Sequence, residues 1–134
     1  MPGLCDLKQV TVENDCYVPV GLSQAIVYNG IAYVSGQTAY NEAGEFEGGD
    51  FAQQADRSFR NLKKVLENAG TSLENVIKVS IYLKDMEKSF ATVVGLRKKY
   101  FTEPYPADTI CEIKALWRPD VLFEIEAIAA VPSS

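Results

Sequence analysis

Short apolar runs separated by turn residues fill the first third of the chain. Residues 8–12 alternate between polar and apolar side chains, which predicts a first strand. Two further apolar runs, 25–28 and 31–35, flank the dipeptide Asn29-Gly30. Asn-Gly is the preferred sequence of a two-residue type I′ hairpin, because both residues tolerate a positive φ. We therefore expect strands two and three to be antiparallel neighbours.

After an acidic, glycine-rich loop at 41–49, the apolar positions recur at intervals of three and four. Asp50 and Gln53 have the spacing of a capping box, and Gly70 has the place of a C′ residue. A first helix is predicted between these signals. Its expected core stripe consists of Ala52, Ala55, Phe59, Leu62, Leu66 and Ala69.

A fourth strand is predicted over residues 76–83, followed by a second helix that Asp85 caps and that prolines 104 and 106 end. The helical spacing of apolar residues continues through Arg97, so we expect one stripe on the core side. This stripe consists of Phe90, Val93, Val94, Arg97, Tyr100 and Phe101.

The last two strands are predicted over 109–115 and 122–130, with a turn at 117–120. The order β-β-β-α-β-α-β-β predicts a single α/β (α+β) domain, residues 1–134, with a mixed sheet and two helices on one face. Apolar residues fall on both faces of the last strand, and two helices cover only one. A closed homo-oligomer would cover the other.

Charge and composition exclude several classes of function. The formal net charge of −5 disfavours a nucleic-acid surface, because phosphate binding depends on clustered Lys and Arg. The longest uncharged stretch, 16–41, is too polar for a membrane span. We therefore expect neither a nucleic-acid nor a membrane partner, and no amino-terminal pattern indicates a signal peptide.

The chain contains no histidine, so Ser-His and Cys-His nucleophiles are excluded. A general base must then be a carboxylate, a lysine, a tyrosine or a bound water. The three cysteines, Cys5, Cys16 and Cys111, lack metal-ligand spacing. We expect reduced thiols in a cytoplasmic protein, and no metal site.

Two groups of residues are candidates for chemistry. The glycine of Ser35-Gly36-Gln37 would let backbone N–H groups approach an anion, or the segment is a plain strand end with a β-bulge. Glu124 and Glu126 are two apart on a strand, so they share a face. One of them acts as an acid or base or holds a water, or both pair with Lys114 or another cation.

Several motifs, in this order and spacing, resemble the Rid family, also called YjgF and formerly endoribonuclease L-PSP. The matching segments are 34–37 (VSGQ), 68–70 (NAG), 77–85 (IKVSIYLKD), 90–93 (FATV), 106–107 (PA) and 123–129 (FEIEAIA). The resemblance covers nearly the whole chain. It implies a chorismate-mutase-like fold that forms a trimeric barrel, with small-molecule clefts between subunits. It also implies hydrolysis of short 2-imino acids to 2-keto acids and ammonia, with no metal and no cofactor.

Four residues of the chain match functional positions of the family. Ser35 and Gly36 correspond to the backbone segment that helps to bind the substrate, and Glu124 corresponds to the glutamate that positions the attacking water. Glu112 matches a family glutamate on the preceding strand. By this resemblance Glu124 is the expected catalytic residue.

Other positions depart from the family pattern. Asp108 stands where the family has the arginine that clamps the substrate carboxylate, Ile110 replaces a cysteine and Val94 replaces an asparagine. The Gly-Pro-Tyr of the early loop appears as Gly21-Leu22, with its tyrosine apparently lost. Asp108, Ile110 and Val94 are still the expected substrate-binding positions.

The sign of the charge at position 108 decides between two functions. Two opposite charges about 4 Å apart gain about 4 kcal/mol at an effective dielectric near 20, and Asp108 would turn that attraction into repulsion. The protein is then an imine deaminase of altered substrate range, helped by a cation such as Lys114, Arg118 or a residue of a neighbouring subunit. The alternative is a non-catalytic trimer that binds neutral or cationic ligands, with Asp108 as an amine anchor. A ribonuclease is the weakest reading, given the acidic charge.

Overall fold

A computed structural model of the protein describes residues 6–133, so Cys5 and Ser134 lie outside the described residues. The strands are β1 (Lys8–Val10), β2 (Ala25–Tyr28), β3 (Ile31–Gln37), β4 (Val76–Leu83), β5 (Ala107–Glu112) and β6 (Phe123–Ala130). The helices are α1 (Phe51–Asn68) and α2 (Met86–Tyr100). Short 3-10 turns occupy Val18–Val20 and Leu73–Asn75.

The six strands form one mixed sheet in the order β1-β2-β3-β6-β4-β5. Only β4 and β5 pair in parallel, and every other neighbouring pair is antiparallel. The predicted element order and mixed sheet are confirmed, with both helices on one face. The Asn29-Gly30 hairpin is confirmed as well, since both residues have positive φ and Tyr28 pairs with Ile31 across the turn.

Three predicted strands have boundaries that were wrong by two residues or more. Strand β3 continues to Gln37, beyond the predicted end at residue 35, and hydrogen-bond partners explain the other two differences. Strand β1 ends at Val10 because the N–H of Val12 donates to the Asp15 side chain in a turn. Strand β5 spans 107–112 and not 109–115, because its parallel ladder with β4 runs only until β4 itself ends at Leu83.

The core lies between the sheet and α1. The capping box at Asp50 and Gln53 is present, and the predicted stripe of α1 is buried apart from exposed Ala52. Phe59 is fully buried and stacks on Phe123 of β6. Along β6 the buried side chains are Phe123, Ile125, Ala127 and Ala129, as the alternation predicts.

Helix α2 differs from the prediction in its cap and in its buried face. Asp85 has a left-handed φ of 61° and its side chain makes no capping bond. Glu112 caps the helix instead, accepting from the N–H of Met86 at 2.8 Å. The buried residues are Ser89, Val93 and Leu96, while Phe90 is 44% exposed. The buried face of α2 is rotated relative to the predicted stripe because the helix also packs on α1, where Tyr100 stacks on Phe59.

Gln54 of α1 fixes the loop that precedes β6. This buried side chain donates from Nε2 to the carbonyls of Gly49 and Asp120, and accepts at Oε1 from the N–H of Leu122 at 2.9 Å. All the polar atoms of the amide are thereby satisfied against backbone. None of the helices within residues 6–133 has the length and apolar character needed to cross a bilayer.

We predict that Gln54→Leu destabilises the protein by about 2–4 kcal/mol, because it leaves buried backbone groups without partners. Urea denaturation followed by circular dichroism measures the loss. Gln9→Leu is the control, since Gln9 is exposed and bonds only Ser23, and it should change stability by less than about 0.5 kcal/mol. Equal effects of the two substitutions would contradict the role given to Gln54.

Candidate functional site

Glu124 lies on the outer face of the sheet, directly over Gly36. Strand β6 turns Glu124 away from the helices because its neighbours Phe123 and Ile125 are buried in the core. Strand β3 has a bulge between Val34 and Gln37, and a Cβ atom at Gly36 would collide with the Glu124 carboxylate. The absent side chain at Gly36 is therefore what allows the carboxylate to lie against the backbone of β3.

An aromatic-walled cleft opens above this carboxylate. Tyr17 donates its hydroxyl hydrogen to the carbonyl of Gly36, and its ring meets Tyr40 edge to face. Tyr40 in turn stacks parallel to Trp117, with ring centroids 5.8 Å apart. The remaining lining residues are Cys16, Val20, Leu22, Ser35 and Glu126. The cleft thus combines planar apolar walls with two carboxylates at its floor.

Burial and a neighbouring carboxylate both disfavour the charged form of Glu124. Desolvation raises its pKa above the usual value, and the charge of Glu126 raises it further. Glu126 accepts a hydrogen bond from the Tyr82 hydroxyl at 2.6 Å. The salt bridges among residues 6–133 include neither glutamate, so the predicted pairing with Lys114 is not found. Glu124 is left as an unpaired carboxylate facing the cleft.

Ser35 uses its hydrogen-bond donors within the fold. Its N–H donates to the carbonyl of Gln24 at 2.9 Å, and its hydroxyl donates to the carbonyl of Ser23 at 2.6 Å. The β-bulge that one interpretation of this segment predicted is present, and it places Gly36 under Glu124. An anion approaching Ser35 would find neither donor free.

Asp108 is held by Arg97, one turn beyond Val94 on α2. The guanidinium donates from Nε to Oδ2 at 2.8 Å and from Nη2 to Oδ1 at 2.9 Å, a bidentate pair. Of the cations expected to take the place of the missing arginine, Lys114 and Arg118 do not contact Asp108 within this chain, and a residue of a neighbouring subunit stays a prediction. Arg118 pairs with Asp120 at 2.7 Å, and Lys114 is exposed without an ion pair among the described residues.

The predicted site residues fall on two faces of the sheet. Asp108 and Ile110 are in register with the buried residues Val79 and Ile81, so their side chains point toward the helices. The contact of Asp108 with Arg97 of α2 agrees with this direction. Glu124 and Gly36 lie on the outer face. The predicted catalytic and substrate-binding residues are therefore not brought together within one chain. They are Ser35, Gly36, Val94, Asp108, Ile110 and Glu124. Over residues 6–133, no three His, Cys, Asp or Glu side chains are grouped so that they could hold a metal ion.

Comparison with known proteins identifies the family of this chain. The sequence profile described as endoribonuclease L-PSP matches residues 13–131. A RutC family protein of Pyrococcus abyssi is 40% identical over 124 residues, which cover 91% of this chain and 96% of that protein. The chain belongs to the Rid family.

Further relatives agree with this assignment. The human protein named 2-iminobutanoate/2-iminopropanoate deaminase is 32% identical over 108 residues, covering 80% of this chain and 77% of the relative. The crystal structure of RidA from an Antarctic Psychrobacter species superimposes with a TM-score of 0.83 at 30% identity, covering 92% and 99% of the two chains. The chorismate-mutase-like fold expected of a Rid protein is thus confirmed.

Three aromatic residues of this Rid protein's cleft were missed by sequence reasoning. Tyr17, just before the Val18–Val20 turn, lines the cleft. Trp117 was placed in the turn at 117–120 and Tyr40 was given no role, yet both line the cleft, where Trp117 is 50% exposed. The available signal was position: Trp117 lies in a turn next to Arg118 and Pro119, where a core residue is not expected.

We predict that Glu124→Gln stabilises the protein at neutral pH. The pKa of the Glu124 carboxyl is higher in the folded than in the unfolded protein. The free energy of unfolding therefore falls as the pH rises from the unfolded pKa through the folded pKa. The amide of glutamine does not ionise, so the variant does not show this fall in stability. The stability difference between variant and parent should be near zero in acid and grow through this window. Urea denaturation from pH 4 to 8 measures it, with exposed Glu42→Gln as control. A constant difference at all pH values would contradict the prediction.

We also predict that Gly36→Ala moves the Glu124 carboxylate toward solvent and lowers its pKa toward the usual value. The obstructed atoms are the end of a flexible side chain, so the free energy of unfolding should change by less than about 1 kcal/mol. A ¹³C NMR titration of the Glu124 carboxyl group reports the pKa. Gly48→Ala is the matched control, because no atom lies within 4 Å of its added Cβ. An unchanged titration in Gly36→Ala would refute the packing described above.

Proposed function

We propose that this Rid protein is an enamine/imine deaminase, which hydrolyses small reactive imines of the 2-iminobutanoate/2-iminopropanoate class to the keto compound and ammonia. The observation that carries the proposal is the unpaired Glu124 carboxylate held over Gly36 at the floor of the cleft. Similarity to the human protein named 2-iminobutanoate/2-iminopropanoate deaminase supports the same reaction. The aromatic walls and the changed residues at 94, 108 and 110 make an altered substrate range part of the proposal.

The chemistry follows from the position of Glu124. The ionised Glu124 carboxylate accepts a proton from a water whose oxygen attacks the C=N carbon, and the protonated Glu124 gives that proton to the imine nitrogen, which yields a neutral carbinolamine. Glu124 then accepts the hydroxyl proton of the carbinolamine and passes it to the nitrogen as the C–N bond breaks and the carbonyl forms. One water is consumed, ammonia leaves, and Glu124 returns to its ionised form. A raised pKa makes the ionised Glu124 a stronger base than an ordinary carboxylate.

The proposed enzyme is a homotrimer with its ligand bound between subunits. Glu124 and Asp108 face opposite sides of the sheet, so one small substrate reaches both positions only if a second copy supplies one of them. The outer face carries exposed Tyr33 and Ile128, apolar area that a neighbouring sheet would cover. The free thiols of Cys16 and Cys111 fit the proposed cytoplasmic location.

The alternative, a non-catalytic trimer for neutral or cationic ligands, loses its main argument. It needs Asp108 as an amine anchor, but both oxygens of that carboxylate already accept from Arg97. A cationic ligand would have to break a bidentate, mostly buried ion pair, whose loss leaves an unpaired charge. We therefore favour the deaminase.

We predict that Glu124→Gln lowers kcat for imine hydrolysis by about 10²- to 10⁴-fold, the range of general-base catalysis. The 2-imino acid is generated in situ by an amino-acid oxidase, and keto acid release is compared with the spontaneous rate. Glu42→Gln should hydrolyse as fast as the parent. A parent protein that never exceeds the spontaneous rate between pH 6 and 9 would refute the deaminase. Stabilisation of that inactive parent by amines would then favour the binding trimer.

A further inference from the structure

We infer that Arg97, oriented by Asp108, binds the carboxylate of the substrate and so takes the part of the arginine that the Rid family carries at position 108. This inference rests on the proposed function, because it names the group that recognises the anionic end of the imino acid. It assigns a specificity-determining role to a residue of α2 that belongs to none of the family motifs recognised in the sequence.

The contacts of Arg97 leave one edge of its guanidinium available. Asp108 accepts from Nε and Nη2, and among the described residues no hydrogen bond or salt bridge engages Nη1. A guanidinium has five N–H donors, so a second carboxylate can bind across Nη1 and the remaining Nη2 hydrogen. The Arg97 side chain as a whole is 24% exposed, so it is not sealed inside the core.

Arg97 is also fixed in direction, as a specific binding group must be. Its Cζ atom lies 5.9 Å from the centroid of the Phe90 ring, one cation–π contact in addition to the bidentate pair. The two restraints come from different elements, α2 and β5. A substrate carboxylate would therefore meet an arginine whose side-chain entropy is already reduced.

The surroundings of the free edge suit a short anionic molecule. A shallow pocket at this point is lined by Arg97 and Asp108 together with Val94, Lys98, Phe101, Tyr105 and Pro106. Asp108 neutralises Arg97, and Lys98 adds one further positive charge, so the local balance is positive. The apolar part of the lining matches the aliphatic end of a 2-imino or 2-keto acid.

The pocket opens beside β5, which is an edge strand and pairs only with β4. In the proposed trimer, this edge is where the Glu124 cleft of a neighbouring copy can meet it. One subunit would then supply the arginine for the carboxylate and the next the glutamate for the water. The negative charge at position 108 is explained in the same way, because both Asp108 oxygens accept hydrogen bonds from Arg97 and hold that arginine in place.

The test is the binding of 2-oxobutanoate, a keto acid that cannot be hydrolysed, to the full-length protein. We predict that Arg97→Met weakens this binding about 10- to 100-fold, the range for hydrogen bonds to a charged group. Binding of 2-butanone, which lacks the carboxylate, should not change. Arg97→Lys keeps the charge without the fork and should lie between parent and Arg97→Met. Affinities are measured by NMR titration.

Further variants separate binding from structure. The exchanged pair Arg97→Asp/Asp108→Arg restores an arginine at position 108 and should retain keto acid binding within about tenfold. Arg60→Met is the control for loss of an arginine, since Arg60 forms a single, more exposed contact with Asp56 and does not line this pocket. Thermal denaturation verifies that each variant is folded before its affinity is interpreted.

Two results would overturn the inference. The first is a folded Arg97→Met or Arg97→Lys protein that binds 2-oxobutanoate as tightly as the parent. That result would mean that the Arg97–Asp108 ion pair serves only to hold α2 against β5. The second is a parent that binds 2-butanone and 2-oxobutanoate equally. Arg97-dependent binding of the keto acid in a parent without imine hydrolysis would support the carboxylate site and refute the deaminase, so the two proposals fail separately.

Discussion

Strand β6 lies at the centre of the sheet, hydrogen-bonded to β3 on one side and to β4 on the other. With both edges paired, the strand cannot rotate, and each side chain must point either to the helices or to the outer face. The apolar half of the alternation packs beneath α1, and the other half places two glutamates together outside. The same ladder that completes the core therefore fixes the carboxylate of the candidate site.

The position of Glu124 is a compromise between packing and solvation. An isolated carboxylate at a half-buried place costs folding free energy, and a second carboxylate two residues away adds to that cost. The fold tolerates this cost because backbone pairs between β3 and β6 on either side of the bulge hold the two strands together, and Gly36 in the bulge leaves room for the carboxylate. Groups that are unfavourable for stability and retained in a cleft are typical of functional sites.

Periodicity predicted the elements of this protein well, because each repeats a local rule many times. The Asn29-Gly30 hairpin, the capping box at Asp50 and the alternation of β6 are all local in sequence. The differences in helix α2 depended on distant partners. The cap of α2 comes from Glu112, and the rotation of its buried face comes from contact with α1.

The candidate site shows the same division. Glu124, Ser35 and Gly36 could be named from motifs, and two of these three lie together as a packed pair. The partner of Asp108 could not be named, since residues 97 and 108 belong to different elements and no local sequence pattern relates them. The aromatic cleft was invisible for a similar reason. Its walls come from three loops that only the folded sheet brings together.

Trp117 is the only tryptophan of the chain. It lies in the cleft wall, stacked on Tyr40 and half exposed. It belongs to the loop before β6 that Gln54 of α1 holds by a hydrogen bond. The ultraviolet emission of this protein therefore originates at its candidate site and not in its core. A spectroscopist who follows that emission during ligand addition or denaturation observes the wall of the cleft, while the packing between α1 and the sheet passes unseen.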